Sequence, residues 1–418
     1  MTLIKTSLLS FIATVVKLLA GLVINKAIAL YVGPSGLAII GQFQNMLQLA
    51  MTASQGSINA GVTKYTAEIG NNDEELSALL STAFKISVVC SLIVAVLLII
   101  FSDYGATNFL NNSEFRFIFI LFGFAIIFCT LNSLLLSIIN GLKEVSIFIS
   151  INVIQSIYSL IFTTILIYFF GLKGALIALV TNQSIVFFVL LWILRRHPVI
   201  KFKLFKAKFN SIFARKLGKF ALMGATSAIL GPVSHLIIRN HLGETFGWES
   251  AGYWQAIWYV SSMYLMVVTT SLSIYYLPRL SEINNNGELK REIFNGYKII
   301  LPIVCFLAIV MFLLKDFIIF ILFSDSFVPM RELFLWQLVG DVLKITSWLL
   351  AYIMLAKAMT KSFIISELLA SCSFVLLTIL FTNIYGLIGV TYAFSLNYLL
   401  YLFLVLFLVK RNFFGRSK

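Results

Sequence analysis

Charge is scarce in this sequence. Only 11% of its residues are Asp, Glu, Lys or Arg, against 60% hydrophobic, where a soluble domain carries roughly 25% charged residues. A water-soluble domain is excluded, and an integral membrane protein is expected. Cysteine is scarce as well. Cys90, Cys129, Cys305 and Cys372 each lie inside an apolar run with no CxxC spacing. They read as small packing residues, not as disulfides or thiolate metal ligands. His197, His235 and His241 form no metal-ligand pattern, and no GxxxxGK[ST] nucleotide loop occurs. Neither a metal nor a cofactor is expected. No A-x-A cleavage site follows the first apolar run, so that run is expected to stay in the membrane.

Acidic residues are the minority sign, 17 against 31 Lys and Arg. Such an excess can mark a nucleic-acid binder. Here the basic residues cluster in short loops between apolar runs of spanning length, which is how membrane proteins set their orientation. No nucleic-acid partner is expected. The runs fall at 6–31, 37–67, 78–101, 115–140, 147–170 and 174–194, then at 218–242, 250–278, 293–314, 331–356, 362–384 and 387–409. Twelve transmembrane helices are expected. With the N-terminus inside, the cytoplasmic segments collect Lys5, Lys143, Arg195 to Lys219, Lys290, Arg291, Lys357, Lys361 and the tail, so both termini should be cytoplasmic.

The two halves resemble each other. A shift of about 215 residues lays "FGLKGA" (170–175) on "YGLIGV" (385–390), Arg116 on Arg331, Lys64 on Arg279 and Phe148 on Phe363. With a slip of one or two, Lys5 meets Lys219, Lys85 meets Lys298 and Lys143 meets Lys357. An even number of helices per half makes this a parallel repeat, an arrangement used by transporters that rock two bundles around a midplane site. The expected organisation is an N-terminal six-helix lobe (1–194), a basic cytoplasmic linker (195–217) suited to anionic headgroups, and a C-terminal lobe with a tail (218–418). The two pseudo-symmetric lobes are expected around a central cavity.

The second helix is not apolar all round. Gln42, Asn45, Gln48, Thr52, Gln55, Asn59 and Thr63 recur at helical steps and predict one polar stripe. Lipid leaves amides unsatisfied, so the stripe must face a cavity or another polar helix. Its repeat partner carries Gln255, Trp258, Tyr259, Ser262, Thr269, Ser273 and Tyr276. Hydroxyls and rings together suit sugars, whose C–H faces lie on aromatics. Interhelical hydrogen bonding is the plainer alternative for both.

Charges inside the runs divide into two kinds. Lys85, Lys298, Arg116 and Arg331 lie near helix ends, where snorkelling is cheap. Lys17 is central, where a lysine costs roughly 2.5–3.5 kcal/mol on insertion scales. With Lys26, Lys64 and Arg239 it would form a cationic interior if these faces turn inward, with α-helical bending near Gly21 bringing Lys17 and Lys26 to one side. Such clusters bind phosphate oxygens. Asp341 and Lys344, at i,i+3 in "LVGDVLK", can pair with each other. An anion competing for Lys344 would then free Asp341 for a proton or a cation, and Glu367 is a second candidate for that role. A static pair joining helices is the alternative.

"YVGPSGLAIIGQFQNM" (31–46), "GVTKY" (61–65) and "PMRELFLWQLVGDVLK" (329–344) together resemble the bacterial lipid-linked oligosaccharide flippases. These are the O-antigen and enterobacterial common antigen translocases, in the polysaccharide branch of the multidrug/oligosaccharidyl-lipid/polysaccharide exporter superfamily. The resemblance spans essentially the whole chain. It implies a V-shaped fold of two lobes with a cationic central cavity. It also implies movement of an undecaprenyl-diphosphate-linked oligosaccharide, in lipopolysaccharide or common-antigen biosynthesis, across the bacterial inner membrane towards the periplasm. The charges that match are Lys17, Lys26, Lys64, Arg239, Asp341, Lys344 and Glu367. Membrane lipids, a coupling proton or sodium ion in an antiporter-like cycle, and the polymerase and chain-length proteins of the same pathway are the partners it suggests.

Rival classes fit less well. An exporter of cationic amphiphiles needs an acidic cavity. A sugar-porter-like facilitator carries a basic glycine motif where this chain reads "AEIGNNDEEL". A glycan polymerase or ligase needs a sizeable outer loop with catalytic residues, and 103–114 and 315–330 are short. An enzyme is not expected.

Overall fold

The computed structural model describes residues 3–70, 73–195, 202–205, 207–283, 285–357 and 359–411. Among the described residues every regular element is helical. Hydrocarbon offers backbone N–H and C=O groups no partner, so an apolar chain must satisfy them within its own helices. In chain order these are α1 (Leu3–Tyr31), α2 (Gly33–Ser54), α3 (Asn59–Ile69), α4 (Asp73–Ile100), α5 (Ser102–Leu110), α6 (Arg116–Gly141) and α7 (Val145–Leu194). They continue with α8 (Ser211–Phe246), α9 (Trp248–Ser271), α10 (Leu277–Glu282), α11 (Asn286–Leu313), α12 (Lys315–Leu322), α13 (Phe334–Ala356), α14 (Thr360–Tyr385) and α15 (Gly389–Val409).

Seven helical stretches among the described residues are long and apolar enough to cross a membrane, and two of them, Val145–Leu194 and Thr360–Val409, run to 50 residues. A straight helix of that length would reach about 75 Å, more than twice the roughly 30 Å of a hydrocarbon core. Both stretches are broken at a glycine: Gly171 (φ 55°, ψ −129°) inside α7 and Gly386 (φ 69°, ψ −154°) between α14 and α15. The stretches expected at 37–67, 218–242 and 250–278 do not stand out in the same way. Their polar residues lower the hydropathy, and two of them are interrupted.

The first interruption corrects the single polar stripe. Gly56 (φ 59°) and Ser57 (φ 52°) end α2 before α3 begins. Gln42, Asn45, Gln48 and Thr52 therefore share one helix, while Asn59 and Thr63 belong to another. In the other half, a π-helical turn, Leu272–Tyr276, separates α9 from α10. The side chain of Ser273, like those of Lys5, Lys203 and Lys219, lies outside the described residues.

The repeat is written into the element ends. Tyr31 and Phe246, Gly33 and Trp248, Gly141 and Ala356, Val145 and Thr360, and Leu194 and Val409 are all separated by 215 positions. Glu144 (φ −76°, ψ 61°) and Met359 (φ −77°, ψ 58°) open the corresponding helices with the same backbone. A Cβ on Gly174 would fall 1.9 Å from the Leu166 carbonyl oxygen, and one on Gly389 would fall 2.2 Å from that of Phe381. Leu166 and Phe381 are again 215 apart, so the glycine turn is the same structure built twice.

The chain divides into two compact units, one of Met1–Val32 and Ile39–Pro232, the other of Gly33–Ala38 and Val233–Lys418. The core of the first is led by Leu76, Leu79, Leu80, Ile138 and Leu190. That of the second is led by Leu265, Leu272, Ile345, Leu349 and Val405. Of the basic segment 195–217, residues 196–201 and 206 lie outside the described residues, as does the tail from 412. The remainder is sewn to α4: Ser77 Oγ donates to the Leu204 carbonyl (3.0 Å), Ser81 Oγ to that of Ala207 (2.5 Å), and Lys85 Nζ also to Ala207 (2.9 Å). Thr82 Oγ1 accepts from Asn210 N (3.0 Å). Lys85 thus places its ammonium on a backbone carbonyl of the linker. Arg331 pairs with Asp316 at 3.0 Å.

Candidate functional site

The second unit gathers charge and rings in one place. α13 supplies Gln337, Asp341, Lys344 and Trp348; α9 supplies Trp254, Gln255, Trp258, Ser261 and Tyr264; α15 supplies Tyr398 and Tyr401. Lys344 Nζ stands 4.9 Å from the ring centroid of Trp348, 5.1 Å from that of Trp258 and 5.9 Å from that of Tyr398. Trp348 is one turn beyond Lys344 on the same helix, and Trp258 and Tyr398 close the cage from two neighbours. Cation–π attraction is worth about 2 kcal/mol when desolvated, which offsets much of the cost of an ammonium at this depth.

Asp341 is 0% exposed. Its Oδ2 accepts a hydrogen bond from the Tyr264 hydroxyl at 2.9 Å. The expected ion pair between Asp341 and Lys344 does not close: none joins them among the described residues. The i,i+3 spacing permits a pair, but the long lysine stem reaches the rings instead. The ammonium also donates no hydrogen bond among the described residues. Ring contact leaves its N–H groups in place to meet phosphate oxygens.

The rings continue towards Arg239. His235 lies edge-on to Trp258 (4.2 Å between centroids) and near Trp254 (5.4 Å). Arg239 is 1% exposed, with its guanidinium 5.5 Å from the Trp254 ring centroid and Nη2 donating to Gln255 Oε1. Arg239 and Gln255 were both expected on a cavity wall; here they are buried and engage each other. Glu367 on α14 accepts from the Tyr401 hydroxyl at 2.7 Å, and Tyr401 meets Tyr398 edge-on at 6.2 Å. Two carboxylates, Asp341 and Glu367, are thus each tied to a tyrosine. Tyr259 is half-buried, and Ser262 is exposed with its hydroxyl turned back on the Tyr259 carbonyl at 2.9 Å. The face of Trp258 is taken by Lys344, so a sugar could stack there only by displacing the cation.

In the first unit, Lys17 is exposed, Lys26 half-buried, and α1 runs unbroken through Gly21. Lys64 is exposed and paired with Glu68 at 3.6 Å, an i,i+4 contact that already answers its charge. Gln42 is buried, Asn45 half-buried and Gln48 exposed. Asn59 Nδ2 donates to Gln55 Oε1 across the break (3.0 Å), and Thr63 Oγ1 donates to the Ser137 carbonyl on α6 (3.0 Å). Part of the polar set is therefore interhelical glue.

Sequence comparison bears on what such a site serves. The sequence profile described as polysaccharide biosynthesis protein matches residues 3–284. The chain belongs to that family. Lipid III flippases of Escherichia coli (strain K12) and Shigella flexneri are each 28% identical to it over 401 residues, covering 96% of this chain and 96% of theirs. Among solved structures, an inward-facing multidrug-resistance MATE family transporter of the MOP superfamily superposes with a TM-score of 0.77 at 14% identity, covering 96% of both chains. The lipid II flippase MurJ in an inward closed conformation gives 0.71 at 17% identity, covering 97% of this chain and 87% of that one. Members of this family and its fold neighbours are flippases and transporters, and this chain is a multi-pass membrane protein of the same fold.

Several residues of the site escape a reading of the sequence alone. Gln337 and Trp348 sit one turn either side of the Asp341–Lys344 pair, a spacing that could have flagged them. Ser261, Tyr264, Tyr398 and Tyr401 come from helices distant in sequence and carry no local signal.

Proposed function

We propose that this chain is a flippase that moves an undecaprenyl-diphosphate-linked oligosaccharide, of O-antigen or common-antigen type, from the cytoplasmic to the periplasmic leaflet of the bacterial inner membrane. The observation that carries the reading is Lys344: a half-buried lysine whose ammonium is caged by three rings and forms no ion pair among the described residues, in a chain whose relatives are lipid III flippases. An uncommitted cation at this depth is costly unless an anion visits it, and the diphosphate of a lipid-linked glycan is such an anion. The chain crosses the membrane twelve times in this reading, in two six-helix halves (1–194 and 218–418) joined by the basic linker 195–217, with both termini cytoplasmic. It works by alternating access. No chemistry is done on the cargo.

In this reading Lys344 and Arg239 meet the diphosphate in the second half, Arg239 by giving up Gln255, and Lys17, Lys26 and Lys64 meet it in the first, Lys64 by giving up Glu68. Gln42, Asn45, Gln48, Gln55 and Asn59, with Gln255, Trp258, Tyr259 and Ser262, serve the glycan. Asp341 and Glu367 couple the cycle to an ion gradient. A caged cation disfavours export of cationic amphiphiles, which it would repel.

Reconstitution in vesicles tests this directly. Leaflet exchange of a polyprenyl-diphosphate-linked glycan should require the protein and should fall at least tenfold in Lys344→Met. Exchange at the rate of protein-free vesicles, from folded protein, would refute it.

A further inference from the structure

The basic segment between the two halves takes no part in the cargo site, and its side chains sort into two sets. Leu204, Phe205, Phe213 and Leu217 pack into the core of the first unit, and the Phe205 ring meets that of Phe84 at 5.7 Å. Lys208, Phe209, Ile212, Arg215 and Lys216 face outward, with Phe209 53% and Ile212 65% exposed. Ile212, Arg215 and Lys216 stand at i, i+3 and i+4 on α8 and so share one face. Together with Ser211 they line a cleft of about 190 Å³.

Cations and large apolar groups thus share one surface, and no acid answers them. The sequence has no Asp or Glu between Glu144 and Glu244. Lys208, Arg215 and Lys216 form no ion pair among the described residues. Lys216 lies against rings instead, its Nζ 5.4 Å from the centroid of Phe213 and 5.6 Å from that of Tyr65. The start of α8 is already capped: Asn210 Oδ1 accepts from Ile212 N (2.9 Å) and from Phe213 N (3.2 Å). Binding an anion here falls to the side chains.

Depth selects the partner. α4 is long and apolar enough to span, and a hydrocarbon core takes about 20 helical residues. Counted back from Ile100, that stretch ends near Ser81, whose hydroxyl holds the Ala207 carbonyl together with Lys85 Nζ. The chain that follows Ala207 therefore starts at the edge of the hydrocarbon. At that level Phe and Ile enter the acyl boundary, while Lys and Arg reach headgroup phosphates. A soluble acidic protein would answer the cations, yet lipid already occupies this depth.

We infer that this surface is a binding site for an anionic phospholipid. Its phosphodiester lies in the cleft between Arg215 and Lys216, where Ser211 donates a hydrogen bond and the guanidinium fork matches two phosphate oxygens. Lys208 adds charge, and Phe209 and Ile212 lie along the acyl chains. The leaflet is the cytoplasmic one in the topology proposed above; the binding depends neither on that topology nor on the cargo.

Thermal unfolding of the purified full chain in a neutral detergent reads the binding. Added phosphatidylglycerol should raise the midpoint saturably, and phosphatidylcholine at the same concentrations should not. Arg215→Gln combined with Lys216→Gln should raise the half-saturating concentration at least tenfold, and Phe209→Ser combined with Ile212→Ser several-fold. Where a variant starts from a lower midpoint, phosphatidylglycerol retained per chain, counted by native mass spectrometry, replaces the melt. Lys290→Gln combined with Arg291→Gln removes as much charge from another segment and should leave the response unchanged. Equal shifts from both phospholipids overturn the site, and so does an equal loss in the two charge-removing variants. Inorganic phosphate matching phosphatidylglycerol would make it a site for a free anion and not for a lipid. Saturable binding of polyglutamate with no response to phosphatidylglycerol would give the surface to an acidic protein instead. Glycan exchange is scored separately: exchange without a phosphatidylglycerol response refutes this site and keeps the flippase, and the response without exchange does the reverse.

Discussion

At the scale of the residue, Lys344 and Arg239 have opposite situations. Lys344 touches rings and leaves its N–H groups uncommitted, while Arg239 is buried against Trp254 and donates to Gln255. Replacing Lys344 with Met keeps the stem and removes the charge. Glycan exchange should collapse, while stability to thermal unfolding changes by no more than about 2 kcal/mol, the worth of the ring contacts. Arg239→Met should instead destabilise the protein by about 1–3 kcal/mol, because the Gln255 carbonyl is left unmet. Thermal unfolding in detergent, read beside exchange rates, separates the two. Equal losses of stability would show that the cage is as structural as the buried arginine.

At the scale of the element, the glycine turns are the sharpest test. Gly171 sits at φ 55° with open space where a side chain would go, whereas a Cβ on Gly174 would meet the Leu166 carbonyl. Gly171→Ala should cost about 1–3 kcal/mol, because φ 55° with ψ −129° lies outside the left-handed helical well, in a region that only glycine visits freely. Gly174→Ala should cost more, since backbone must move, and should sharply reduce the yield of folded protein. The repeat extends the prediction: Gly386→Ala should behave like Gly171→Ala, and Gly389→Ala like Gly174→Ala. Parallel thermal melts of the four variants check it. The N-cap of α11 offers a milder case: Asn285 Oδ1 accepts from Gly287 N at 2.7 Å, and Asn285→Ala should cost about 1 kcal/mol.

At the scale of the whole molecule, the proposed twelve crossings would place 143 and 357 on the cytoplasmic side and 113 and 325 outside. Single cysteines at these positions, in a chain whose four native cysteines are replaced, should react with an impermeant thiol reagent from those sides only. The helical class, the apolar runs and the repeat were legible in the sequence because length, hydropathy and glycine spacing are local signals. The breaks at Gly56 and at Leu272–Tyr276 were not, because both interrupt runs whose helical period continues across them. Asp341 and Lys344 were legible as anomalies, yet their partners were not. Tyr264, Tyr398 and Trp258 reach them from other helices, and i,i+3 spacing alone suggested a bond that the rings pre-empt.

The strap on α4 has a consequence of its own. Ser77, Ser81 and Lys85 all grip carbonyl oxygens at Leu204 and Ala207, and every amino acid has one. The fastening is therefore blind to which residues the loop carries at those two places and demanding only of the helix that holds it. Saturation mutagenesis should find 207 permissive, 204 open to other apolar side chains because Leu204 packs on the first core, and 77, 81 and 85 restrictive, leaving the loop's outward side chains at liberty to change while its course stays put.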